Sequence, residues 1–259
     1  MGKVVLYAIF VDTKETHSWT AYDINTTLDS IKKSTLWVTS KAKKCNIDVS
    51  IDIKFHQNNN VIPISQNLYE ETLSRTLFPN IVEGIENLDD WSNAIARKAG
   101  NSFGSDPSII VKTKNVITDR ERLIARLRDL NSTDNVVVMY FLNNYHQDEI
   151  SLAIHTGISD KTEYSIVSFK NPAVIAHEFL HIFGALDLYM SPFDRKKRAL
   201  KNKVKIMEAY PNEIMAFTYR PIENLDLSPM TKYFLGWTAE LDEKSKNLMF
   251  GKKIKIYKY

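Results

Sequence analysis

Ala176-His177-Glu178-Phe179-Leu180-His181-Ile182-Phe183-Gly184-Ala185-Leu186-Asp187 is the stretch from which the rest of the chain can be read. It contains H-E-x-x-H, extended to H-E-x-x-H-x-x-G-x-x-D. On a helix, side chains four residues apart stand one turn above each other, so His177 and His181 aim their imidazoles at one point. A zinc ion fits such a pair: it takes imidazole nitrogens at about 2.0–2.1 Å, usually tetrahedrally, and keeps one position open where chemistry is done. The pattern arises by chance in under about one chain in a hundred of this length, and the added Gly and Asp make it rarer still. Val174, Ile175, Phe179, Leu180, Ile182 and Phe183 surround the polar trio with apolar groups. That is the environment of a helix buried on most sides, not of a solvated polar face.

Gly184 matters because the helix has to end and the chain has to turn back before a third ligand can reach the metal. Glycine adopts the left-handed backbone conformation at low cost. Asp187, three residues on, is then the natural third ligand. Glu208 and Glu213 are its rivals, after the design in which a second helix supplies a glutamate. Pro211 lies between them and interrupts any helix carrying both, which favours Asp187. The single cysteine, Cys45, excludes a four-cysteine zinc site and any internal disulfide, so a metal here depends on histidine and carboxylate.

Outward from the motif, 259 residues with 44% hydrophobic and 25% charged content describe one globular domain, or one domain in two lobes, and exclude disorder as the dominant state. A net charge of +3 from 34 basic and 31 acidic residues argues against a nucleic acid as the main partner. The apolar run at residues 4–11 is too short to span a bilayer. Asp12-Thr13-Lys14-Glu15 follows it where a leader would carry a small-residue cleavage site, so it reads as a buried strand. The expectations are no membrane span and a cytoplasmic location.

Ile24, Leu28, Ile31, Val38, Ala42 and Cys45 recur mostly at three- and four-residue steps, which predicts one long amphipathic helix over residues 23–45 with Asp23 as its cap. Residues 47–55 alternate apolar and polar, the signature of a strand with one buried face. Gln57-Asn58-Asn59-Asn60 reads as a loop, residues 91–99 as a helix, residues 100–107 as another loop, and a further helix starts near Asp119. Residues 136–142 read as a strand buried on both faces. Residues 150–154 and 164–169 give two more strands, and a helix-and-loop segment closes the chain.

Residues 177–187 resemble the metzincin clan of zinc metallopeptidases, in its branch with Asp in place of the usual third His. The order of elements is similar too: strand, long helix, strands, an edge strand, then the zinc helix. Leu227-Ser228-Pro229-Met230-Thr231-Lys232-Tyr233-Phe234-Leu235-Gly236-Trp237 and Gly184-Ala185-Leu186-Asp187-Leu188-Tyr189 are similar to segments of immune-inhibitor-A-like bacterial peptidases. The likeness covers about residues 139–237, and the N-terminal part by element order alone. It implies a methionine turn beneath the metal, for which Met215 in Glu213-Ile214-Met215-Ala216 is the choice and Met207 the competitor.

Other residues carry weaker signals. His155 falls on the opposite face of its strand from Ile150, Leu152 and Ile154, a strand that the resemblance places along a substrate cleft; an exposed edge histidine is the plainer reading. Tyr219 and Tyr210 flank the proposed turn, where a hydroxyl could donate to an oxyanion, although a half-buried aromatic explains each as well. Arg195-Lys196-Lys197-Arg198 with Lys201, Lys203 and Lys205 reads first as a solvated loop and second as a steering patch for acidic partners. Cys45, last in its helix's apolar stripe, reads as core.

The expected fold is α+β and zincin-like (metzincin), a single domain over residues 1–259. Its N-terminal mixed-sheet lobe, residues 1–185, includes the zinc helix at 171–184. A smaller, mainly helical or irregular C-terminal lobe, residues 186–259, carries the methionine turn. The function the resemblance implies is a zinc-dependent metalloendopeptidase. One zinc ion on His177, His181 and Asp187 would activate a water, and Glu178 would be the general base. The substrate would be a protein or peptide and the chain a monomer. The competing reading is a zinc-stabilised binding module of the same fold without catalysis. A nucleic-acid-binding role for the basic run has no supporting motif.

Overall fold

The computed structural model describes residues 2–56, 61–68, 81–103, 117–143, 151–154, 162–189 and 197–250. It is an α+β fold built on a mixed sheet. Among the described residues six strands form the sheet: β1 (Gly2–Asp12), β2 (Val49–Phe55), β3 (Ile64–Ser65), β4 (Asn135–Leu142), β5 (Ser151–Ile154) and β6 (Tyr164–Val167), in the order β2-β1-β4-β6-β5 with β3 pairing the end of β1. β1 runs parallel to β2 and β4, β4 parallel to β6, and β5 antiparallel to β6. Strands with parallel neighbours on both sides are covered on both faces, which is why β1 and β4 read as near-continuous apolar runs.

Alternate residues of these strands feed two cores. Val4, Leu6, Ala8 and Phe10 of β1 with Val137, Met139 and Phe141 of β4 face the helices α1 (Ala21–Lys44) and α4 (Pro172–His181). Tyr7, Ile9 and Val11 with Val138, Tyr140 and Leu142 face α2 (Ile81–Asn101) and α3 (Asp119–Asn131). The first core also takes in Ile214, Met215, Leu225, Leu227, Met230 and Trp237 from the C-terminal segment. That segment contains α5 (Lys197–Ala209), a 3-10 turn (Ile222–Asn224), α6 (Pro229–Phe234) and α7 (Glu243–Phe250). Lys41 of α1 bonds it as well, donating to the Leu225 carbonyl at 2.8 Å and pairing with Asp226 at 2.9 Å.

Several boundaries differ from the sequence reading. The cap of α1 is Thr20, and Asp23 is its partner three residues on: the Thr20 hydroxyl accepts the Asp23 N–H at 3.2 Å, and the Asp23 carboxylate accepts the Thr20 N–H at 3.1 Å. Cys45 closes α1 as its C-terminal cap and packs against the core. α2 begins ten residues before Trp91 and continues through Gly100, so the expected loop at 100–107 starts later. The helix that carries the H-E-x-x-H motif, α4, ends at His181, earlier than expected, with residues 182–184 in a turn. The loop at 57–60 lies outside the described residues. Among the described residues no helix is long and apolar enough to cross a membrane.

Behind the sheet lies a buried ion pair. Arg120 of α3 donates to the Asp89 carboxylate of α2 at 2.9 Å, each side chain being 1% exposed. The guanidinium also donates to the Ser92 hydroxyl and lies 4.5 Å from the ring centroid of Tyr164 on β6. It links the two helices to the strand beside the functional motif.

Candidate metal centre and cleft

α4 begins with Asn171, whose side chain accepts the Ala173 N–H at 2.8 Å, and with Pro172 in the first turn, where no N–H is needed. Two bonds fix its placement. The Ser34 hydroxyl of α1 donates to the Pro172 carbonyl at 2.7 Å, and the Ser165 hydroxyl of β6 donates to the Glu178 carbonyl at 3.1 Å. After His181 the chain turns through Gly184 at φ +95°, in the left-handed region. A Cβ there would lie 3.2 Å from the Phe234 carbonyl, so both backbone conformation and space favour glycine.

The reversal brings Asp187 back to the histidines. His177 Nε2 and His181 Nε2 are 3.0 Å apart, and Asp187 Oδ1 is 3.2 Å from the first and 3.1 Å from the second. Each imidazole is oriented from behind: His177 Nδ1 donates to the Ile214 carbonyl at 3.1 Å and His181 Nδ1 to the Ala185 carbonyl at 2.7 Å. With both Nδ1 atoms carrying the hydrogen, the two Nε2 lone pairs and a carboxylate oxygen face one another. Three acceptors repel at this range unless a cation lies among them, be it a proton or a metal ion. The corners of a tetrahedron around zinc with bonds of about 2.0–2.1 Å are about 3.3–3.4 Å apart, so this triangle fits one face to within a few tenths of an ångström.

The electrostatics favour a cation as well. Burial disfavours a charged His181, but the Asp187 hydrogen bond and the charges of Glu178 and Asp187 outweigh it and push the imidazole up to about 9. Burial would raise Asp187; hydrogen bonds and charge from the two histidines instead hold its carboxyl well below the usual carboxylate range. Glu178 is buried and its carboxyl is pushed up by desolvation, partly offset by the histidines. One carboxylate oxygen of Glu178 lies within 4.8 Å of a ring nitrogen of each histidine, and among the described residues Oε2 has no hydrogen-bond partner.

A cleft of about 300 Å³ opens on Glu178. Ser151, Phe169, Val174, His177, Tyr189, Ala216, Thr218 and Tyr219 line it together with Glu178. Tyr219 is 69% exposed and stands edge-on to Phe217 at 5.9 Å. Tyr210 is placed elsewhere: its hydroxyl bonds the Ser245 hydroxyl at 3.0 Å, and it takes no part in lining the cleft. Glu208 is exposed on α5, and Glu213 bonds backbone N–H groups of Met215 and Ser228, so neither rival reaches the histidines. His155 lies outside the described residues. So do Arg195 and Lys196, while Lys197, Lys201, Lys203 and Lys205 fall on α5. The sequence reading missed Tyr189 as a cleft residue, together with the Ile214 and Ala185 carbonyls.

Met215 is fully buried and sits in the turn whose Ile214 carbonyl holds His177, whereas Met207 is half-buried on α5. If shape and not sulfur chemistry is what Met215 contributes, Met215→Leu should cost under about 1.5 kcal/mol and Met215→Ala about 2–5 kcal/mol. Thermal unfolding and zinc titration should both register the alanine variant. Unchanged stability and zinc affinity in Met215→Ala, with both lowered in Met207→Ala, would transfer the role to Met207.

No protein-family model matches this chain, and no curated protein matches it.

Proposed function

We propose that this protein is a zinc-dependent metalloendopeptidase of metzincin-like fold. Supporting the reading are the convergence of His177, His181 and Asp187 on one point, the buried Glu178 beside them, and an open cleft in front. The convergence carries it, because three mutually repelling acceptors, two of them fixed by backbone carbonyls, form a site made for a cation. The antiparallel strand β5 at the sheet edge, with Ser151 in the cleft wall, suits an extended peptide.

His177, His181 and Asp187 would hold a zinc ion, which would supply Lewis acidity toward a water and a carbonyl. Glu178, buried beside the site and open to the cleft, would act as the general base, taking a proton from a water there and passing it to the leaving amine. Its neighbour relation to His177 on the same helix brings its carboxylate to the cleft without making it a ligand. Val174, Phe169 and Ala216 form the apolar part of the cleft and would hold substrate side chains, and Tyr219 and Tyr189 line the same cleft as Glu178.

The experiment is cleavage of a diverse peptide library by the zinc-loaded protein, read by mass spectrometry. Peptide cleavage that is abolished by chelation and restored by zinc is the expected result. A fully zinc-loaded protein that cleaves nothing would point to the non-catalytic binding module. Metal content adds a separate check. The wild type should hold about one zinc per chain, and Asp187→Ala, which removes one of three ligands, should lose most of it. Asp187→Ala protein that retained its zinc would show the ligand set to be wrong.

A further inference from the structure

Glu213 is a buried carboxylate, 1% exposed, that the hydrolytic chemistry does not use. Its Oε1 accepts the Met215 N–H at 3.0 Å, and Oε2 accepts the Ser228 N–H at the start of α6. Its own carbonyl accepts the N–H groups of Ala216 at 3.1 Å and Phe217 at 3.0 Å, closing the turn. The Ile214 N–H donates to the Asp226 carbonyl at 3.0 Å. The carboxylate thus fastens the turn at 213–217 to the segment leading into α6.

The Met215 N–H and the Ile214 carbonyl are the two ends of a single planar peptide unit. One end is held by Glu213 and the other accepts the Nδ1–H of His177. Burial pushes the Glu213 carboxyl up and the hydrogen bonds from Ser228, Met215 and Thr231 offset this in part; an acceptor on the N–H side fixes the peptide plane and polarises it, making the carbonyl a stronger acceptor for the imidazole. The next carbonyl, that of Met215, accepts the N–H of Leu188 at 2.9 Å, one residue beyond Asp187. The same turn therefore braces two of the three converging side chains.

We infer that Glu213 is a positioning residue for the metal centre, its carboxylate acting through the 214–215 peptide to orient and polarise His177. The inference rests on the reading of His177, His181 and Asp187 as zinc ligands. It is the arrangement in which a carboxylate aligns a ligating histidine, with a peptide group interposed.

Glu213→Gln keeps the shape but replaces one accepting oxygen by an N–H donor turned toward one of the two backbone N–H groups. Zinc affinity, measured against a chelating dye, should weaken about 10- to 100-fold in this variant and in Glu213→Ala. The visible spectrum of the cobalt(II)-loaded protein should change in Glu213→Gln, reporting altered ligand geometry. Asp89→Asn, which disturbs the ion pair behind the sheet, controls for lost stability and should keep wild-type zinc affinity and cobalt spectrum. If the Glu213 variants do not fold, Thr231→Val removes a hydroxyl that bonds the same carboxylate and should weaken zinc several-fold. Wild-type affinity and spectrum in the Glu213 variants, or in Thr231→Val where those do not fold, overturns the inference alone, as does an equal loss in Asp89→Asn. A wild type that takes up no zinc overturns the metal reading and this inference together.

Discussion

Glu178→Gln should lower peptide hydrolysis by about a hundred- to ten-thousand-fold while leaving zinc content, thermal stability and overall structure at wild-type values. The expectation follows from how the motif divides its work. His177 and His181 are fixed by the carbonyls of Ile214 and Ala185, and neither bond involves the Glu178 side chain. What holds Glu178 to β6 is its backbone carbonyl on Ser165, which the substitution keeps. Glutamine matches the side chain in size but cannot take a proton, so only the proton transfer is removed. On the free-energy scale the loss is about 2.7–5.5 kcal/mol of transition-state stabilisation. Identical cleavage profiles for wild type and variant would assign the observed hydrolysis to something other than Glu178.

The second large effect lies on the other face of the sheet. Asp89→Ala leaves the Arg120 guanidinium buried without its carboxylate, and such uncompensated charges cost about 3–5 kcal/mol. For a chain of this size that corresponds to a fall in melting temperature of roughly 6–20 °C. Replacing both partners, as in Asp89→Leu with Arg120→Met, should recover much of the loss, because the desolvation of both charges disappears with their attraction. Calorimetry of the single and double variants checks this. A double variant less stable than Asp89→Ala would mean that Arg120 acts chiefly through Ser92 and the Tyr164 ring.

How much of this was legible in the sequence depended on whether the signal was local. β1 and β4 announced themselves because strands covered on both faces need apolar side chains throughout. α1 was legible from its stripe, but its cap was assigned to Asp23 when Thr20 and Asp23 form a reciprocal pair, in which either residue alone looks like a cap. α2 was read short because Gly84 and the polar side chains around it weaken the helical signal of its first turns. β3, two residues long, offers no period to detect.

At the site, spacing alone singled out His177, Glu178 and His181, which lie together because one helix carries all three. Asp187 could be preferred from Gly184 and Pro211, but the exclusion of Glu213 needed tertiary contacts: its carboxylate points to Met215 and Ser228 N–H groups brought together by the fold. Tyr210 and Tyr219 were indistinguishable by their distance from Met215, and only packing shows one bonded to Ser245 and the other at the cleft. The Ile214 and Ala185 carbonyls had no residue-type signature, since every residue has a carbonyl.

The most direct measurement is anomalous X-ray diffraction at the zinc absorption edge from crystals of the zinc-loaded protein. It should give a single strong peak bonded to His177 Nε2, His181 Nε2 and an Asp187 carboxylate oxygen, at about 2.0–2.2 Å from each, with Glu178 outside bonding distance. A peak among other side chains, or none in protein shown to be saturated with zinc, would contradict the metal centre on which the proposed chemistry depends.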